Sequence, residues 1–264
     1  MHIILTDETN RRPSTSTKFF IYGGLLFPIE RLSDLDARIS KIRQTAGYQP
    51  TDEFKFDTRA RPLDHVSFEA CTEAKKQVIA LCNELGCKFI AQVILHAIIT
   101  NQDEGKQVQW AADYVIGRYN EYLKETNDDG ICVVDNLPRR GEFRYLSDKF
   151  SKGLTLYTGT SLALNRIKLF ASTCLGASHA ASAMDIVLGS FRYCINDPKN
   201  QDAAREMIRQ VVRMMWCKRE GKRILLEDRG LILRPKLADI TVASYKKEYT
   251  DLIDHLNSLL SSEA

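Results

Sequence analysis

The sequence predicts a mixed α/β fold, a sheet flanked by helices. Three observations carry that expectation. Apolar, β-prone runs follow one another near the start, at residues 2–8 and 18–27. Helical periodicities alternate with strands further on. The chain has 264 residues, 44% hydrophobic and 27% charged, enough to bury one large core.

The elements follow in order. Residues 2–8 (HIILTDE) form an apolar strand that ends on Asp7 and Glu8. A polar turn with a proline follows over 11–17. Residues 18–27 (KFFIYGGLLF) read as a second strand. Gly23 and Gly24 mark a bulge or a close backbone approach. Ser33 is placed to cap a helix over 34–45, with Leu35, Ile39 and Ile42 on one face. Residues 51–57 (TDEFKFD) alternate as an edge strand or extended turn, Phe54 and Phe56 opposite Glu53 and Lys55.

Residues 68–85 carry a buried helical stripe stopped by Gly86, and 87–96 read as a strand. An amphipathic helix over 107–125 bears Trp110, Tyr114 and Tyr122. The turn NDDG at 127–130 launches a strand (Ile-Cys-Val-Val) that ends on Asp135. A polar, arginine-bearing stretch covers 138–144, and 166–172 is a further strand. A small-residue helix over 177–194 contains Asp185. A basic helix over 202–218, a hairpin or irregular excursion over 222–233 and a helix over 240–260 complete the chain.

A net charge of +3 excludes a polycation but leaves room for a local basic patch. No apolar run reaches the roughly 18–20 residues of a membrane helix. No basic-then-apolar leader precedes Asp7, so a cytoplasmic protein is expected. Seven cysteines at irregular spacings read as buried thiols in a reducing compartment; Cys82, Cys87 and His96 lack a zinc-site spacing. Walker, Gly-x-Ser-x-Gly, His-Glu-x-x-His and Rossmann signatures are all missing from the sequence.

Four acids stand out. Asp7-Glu8 at a strand end can hold a divalent metal or open a turn. Asp135 repeats the pattern at a second strand end, where it holds a metal or caps a turn. Asp185 sits among alanines and aliphatics, where an unpartnered carboxylate is costly. Either it faces a pocket or it shares an exposed stripe with Ser178 and Ser182. Glu53 with Lys55 is a functional pair or ordinary edge charge.

Taken in order, these acids resemble those of the ribonuclease H-like fold. There, four carboxylates hold two divalent ions roughly 4 Å apart around a scissile phosphate; one activates water and the other stabilises the leaving oxygen. The closer resemblance is to the bacterial and phage family called domain of unknown function 3800. It rests on Asp7-Glu8 after a strand, Gly23-Gly24, Glu53-x-Lys55, Asp135, and a late helix with Asp185, and spans about residues 1–196. The family's Gln before the late Asp is Ser182 here, with His179 a candidate substitute, and its Asp-Glu-Ser is Asp-Glu-Thr.

The resemblance implies a ribonuclease H-like core over 1–196 with a helical extension over 197–264 packed on it. It implies Mg²⁺ or Mn²⁺ held by Asp7, Glu53, Asp135 and Asp185, with Glu8 as an outer ligand. Lys55 would neutralise phosphate or orient water. The expected function is a metal-dependent nuclease, in a phage-defence or toxin setting. Arg139, Arg140, Arg144 and Lys149, or the helix bearing Arg205, Arg209, Arg213, Lys218 and Arg219, would guide the nucleic acid backbone or are solvated surface. The rivals are a non-catalytic subunit that binds nucleic acid or a protein partner in a defence complex, and a nucleotide-directed phosphohydrolase.

Overall fold

The computed structural model describes residues 1–14, 17–99, 104–135, 142–155, 159, 161–173, 178–196, 200–220 and 223–261. The elements are β1 (His2–Thr9), β2 (Phe19–Pro28), α1 (Leu32–Thr45), α2 (Phe68–Glu84), β3 (Lys88–Leu95), α3 (Glu104–Glu125) and β4 (Gly130–Asp135). They continue as α4 (Glu142–Lys152), β5 (Leu154–Thr155), β6 (Ser161–Leu162), β7 (Ile167–Thr173), α5 (His179–Ile195) and α6 (Gln201–Met214). The chain closes with β8 (Lys218–Glu220), β9 (Arg223–Leu225), β10 (Leu231–Leu233) and α7 (Ala243–Ser261).

Six strands form the central sheet in the order β10-β3-β2-β1-β4-β7. β1 and β2 pair antiparallel across a short connection, and β3 pairs antiparallel to β2 after the chain has passed through α1 and α2. β4 and β7 run parallel to β1, each reached through a helical crossover. Helices cover both faces, so the central strands are buried on both sides and read as continuous apolar runs. α1, α2, α5, α6 and α7 close a core around Leu25, Phe89, Leu188 and Phe191. α3 closes the other around Ile4, Tyr22, Tyr119 and Trp216, with Tyr145 of α4.

The paired glycines of β2 make a close approach, not a bulge, since register runs unbroken through them. A Cβ on Gly23 would lie 2.8 Å from Leu188 Cδ1 of α5, and one on Gly24 2.5 Å from Ile4 Cδ1. Helix α1 begins one residue before its expected cap: Arg31 is the N-cap and Ser33 lies in the first turn. α2 has the expected ends, Ser67 accepting from Ala70 N–H at 3.0 Å and Gly86 at φ +74°.

Residues 52–57 form an extended loop; no edge strand forms there. α4 was not expected, because the arginine-bearing stretch at 138–144 reads as irregular and hides the helical spacing of Phe143, Leu146 and Phe150. α6 stops at Met214, and Lys218 enters the β8–β9 hairpin. Beyond residue 196 the chain supplies more than helices. β10 joins the central sheet parallel to β3, and Tyr249 of α7 hydrogen-bonds the Leu95 backbone at 2.8 Å.

Candidate functional site

The register of the sheet sets the first two acids. Thr6 pairs with Val134 across the parallel β1–β4 ladder, so Asp7 and Asp135 come next, side by side. Side chains alternate along each strand. Leu5 and Val133 face the α5 layer while Ile4 and Val134 face α3, which puts Asp7 and Asp135 on the α5 face. α5 packs over that face, and Asp185 lies within electrostatic reach of Asp7.

Asp7 is buried, with 7% exposure. Its pKa is pushed from 3.8 up to about 8, first by burial, then by the charges of Asp135 and Asp185. A hydrogen bond with Asp135 favours the protonated form of Asp7 further. Burial also raises the pKa of Asp185, opposed by a backbone hydrogen bond and by Lys55, Arg192 and Lys75.

That backbone hydrogen bond brings the fourth segment in. Phe56 N–H donates to Asp185 Oδ2 at 2.6 Å, and Lys75 Nζ of α2 donates to the Phe56 carbonyl at 2.6 Å. The Phe56 ring lies beneath Arg192, whose guanidinium carbon is 5.6 Å from the ring centroid, and fills the space left by Gly189. Phe54 is buried against Tyr48, centroids 4.9 Å apart. Two aromatic anchors thus fix the loop and present the residues around them.

Lys55 is thereby held near the acids. Its pKa is raised, first by a hydrogen bond to Glu53 and then by the charges of Glu53, Asp185 and Asp135. Nζ lies 2.8 Å from Glu53 Oε2. Glu53 itself is 59% exposed and meets the trio only through Lys55. Glu8 is on the α3 face by strand alternation and pairs with Arg11. The structure thus gathers Asp7, Asp135, Asp185 and Lys55, with Glu53 at the rim and Glu8 turned away.

Other expected residues have local duties. His179 Nδ1 lies 2.8 Å from Asp36 Oδ1, tying α5 to α1. Ser182 is buried and Ser178 caps α5. Cys82 and Cys87 hydrogen-bond within the core. Lys149 is committed to Asp113 at 2.8 Å. Arg139 and Arg140 lie outside the described residues, as does Cys174. On α6, Arg205 meets Asp202 at 3.3 Å.

Three contributors were missed: Phe56, Gly189 and Lys75. The signal for Lys75 was present, since it falls beside Cys71, Ala74 and Val78 on the buried stripe of α2, where a lysine needs a partner.

The donor set suits a divalent cation in kind. Hard carboxylate oxygens are the usual ligands of such ions, and a cation would offset the burial and the repulsion that together hold a proton on Asp7. The spacing is wider than that of a formed site: among the described residues, no three acidic, His or Cys groups stand close enough to hold an ion.

No family model and no curated protein matches the chain. Solved structures do. Ribonuclease H2 from Pyrococcus horikoshii OT3 overlaps 80% of this chain and 86% of its own, at 10% identity and a TM-score of 0.39. A PCNA:RNase HII complex from Archaeoglobus fulgidus covers 84% and 98%, at 12% and 0.38. Bst-RNase HIII in complex with Mn²⁺ covers 81% of this chain at 12% and 0.30, and this chain spans 62% of it. The chain itself shows a mixed α/β fold, a six-stranded sheet in the order β10-β3-β2-β1-β4-β7 with helices on both faces.

Proposed function

We propose that this protein is a metal-dependent phosphodiesterase acting on nucleic acid, with Asp7, Asp135 and Asp185 as the carboxylates that would hold Mg²⁺ or Mn²⁺. One observation carries the reading: two strands and a helix bring three carboxylates to one face, where burial first and the neighbouring charges second raise Asp7 to about 8. Strongly perturbed carboxylates gathered in one place are a mark of functional sites. The bound ions would supply an activated water and charge stabilisation at the leaving oxygen. Lys55 contributes a cation beside the acids for a phosphate oxygen, and Glu53 holds that ammonium in place. Phe56 and Lys75 position the loop that carries both. Glu8, expected from sequence as an outer ligand, serves on the other face by locking Arg11. Membership of the domain of unknown function 3800 family, a defence setting and a cytoplasmic location belong to this same reading; among the described residues no helix is long and apolar enough to cross a membrane.

A second reading has one observation in its favour. Glu53 is exposed and the trio is not drawn in to ion-holding distance, as in a subunit that keeps the fold to bind nucleic acid without cutting it. The deciding experiment incubates wild type and Asp7→Ala with labelled single- and double-stranded DNA and RNA, in Mg²⁺, Mn²⁺ or EDTA. Cleavage by wild type alone, abolished by EDTA, is the expected result. Cleavage equal in both proteins, or indifferent to EDTA, would sink the proposal. Binding with no cleavage would favour the second reading.

A further inference from the structure

The opposite face of the sheet carries a cleft that the acid site does not use. Trp110 and Tyr114 project from α3 one turn apart, 60% and 38% exposed. Arg234, just after β10, lays its guanidinium carbon 4.6 Å from the Tyr114 ring centroid. Asp228 grips the same guanidinium at 3.0 Å, which fixes it as a flat extension of the ring. These three residues line two adjoining hollows, of about 240 and 580 Å³. The smaller has the polar floor.

Gln92 of β3 and Gln107 of α3 line that smaller hollow, with Ile94 and Ile99 beside them. Gln92 is 1% exposed. Its Oε1 and the Nε2 of Gln107 are buried with no hydrogen-bond partner among the described residues. Buried amides are nearly always satisfied, so each such group in a folded protein calls for an explanation. Here a buried acceptor and a buried donor, both without partners among the described residues, belong to residues that line one small cleft with flat walls.

We propose that this cleft binds a nucleobase. A heterocycle carries a π-face for Trp110 and the Tyr114–Arg234 platform, and an edge that pairs donors with acceptors for the two glutamines. A hollow of 240 Å³ is smaller than the roughly 300–1,000 Å³ pockets of drug-sized ligands and suits a single ring system. An apolar peptide side chain would fill the walls and leave both amides unsatisfied. The base arrives on a free nucleotide or on a single strand whose base is turned out, and the two sources share this chemistry. The site stands independently of the acid cluster, on the other side of the sheet.

The test titrates the full chain with the four ribonucleoside 5′-monophosphates and with short single strands of DNA and RNA, reading tryptophan fluorescence and anisotropy. Trp216 is buried and Trp110 exposed, so quenching reports on Trp110. Saturable quenching by mononucleotides identifies a nucleotide site, and binding of strands alone identifies a turned-out base. In either case Trp110→Ala is expected to weaken affinity by about tenfold or more. Gln92→Met, which keeps the volume of the floor, is expected to erase preference among the bases. Circular dichroism checks that both variants fold. Absence of binding by every probe overturns the proposal. So does affinity unchanged in Trp110→Ala, or base preference unchanged in Gln92→Met.

Discussion

Asp7 and Glu8 are neighbours in sequence and opposites in the fold. On the α5 face, Asp7 joins Asp135 and Asp185, and burial leaves it holding a proton to about pH 8. On the α3 face, acids sit in ion pairs: Glu8 with Arg11, Glu104 with Arg12 at 2.8 Å, Asp113 with Lys149 at 2.8 Å. One face balances its charge internally. The other leaves a deficit that a cation from solution can fill. A single residue's step along β1 separates a buried, proton-holding carboxylate from an ion-paired one, because alternate side chains point to opposite faces.

The comparison breaks most visibly at Asp7. Asp7→Asn is expected to lower cleavage by about 100-fold or more, since metal-ion assistance is worth several kcal/mol; quantitative cleavage assays in Mn²⁺ and Mg²⁺ read this directly. The same residue sets the next effect. Its carboxyl binds a proton more tightly folded than unfolded, so stability falls as pH rises from 3.8 to about 8. Urea unfolding across that window in EDTA should show a loss on the order of a few kcal/mol. A profile that Asp7→Asn does not flatten would refute the assigned cause.

Gly189→Ala sharpens the role of the loop. The new methyl group occupies the place of the Phe56 ring, so the loop bearing Lys55 lifts from α5. A loss of about 1–3 kcal/mol in thermal unfolding is expected, with cleavage reduced alongside. Retention of both would separate the loop from the site. Glu8→Gln is the smallest test. It should cost about 1 kcal/mol or less and leave stabilisation by added Mn²⁺ unchanged. A Glu8→Gln protein that no longer gains stability from Mn²⁺ would place Glu8 among the ligands and undo the contrast between the faces.

The acids at strand ends were legible in the sequence because an apolar run that stops on Asp has few structural meanings. The main strands followed from the same runs, their order in the sheet did not, and Asp185 stood out against its alanine-rich helix. Glu53 and Lys55 were found, but the extended loop they sit on was visible only as alternation. What fixes that loop is tertiary: the ring of Phe56 over Gly189, and an ammonium from α2 on its carbonyl. Periodicity reports how a segment buries its own face and is silent about such cross-chain contacts. β10 escaped for the same reason, as a three-residue strand whose partner β3 lies 140 positions earlier in register, Leu231 beside Ala91.

Gly23 pairs with Asp7 across the β1–β2 ladder, and Leu188, one turn beyond Asp185, rests in the hole that Gly23 leaves. The missing side chain therefore works as a spacer, setting the height of α5 above the sheet. Any larger residue there would keep every acid and change the gap between strand and helix, and with it how closely Asp185 approaches Asp7.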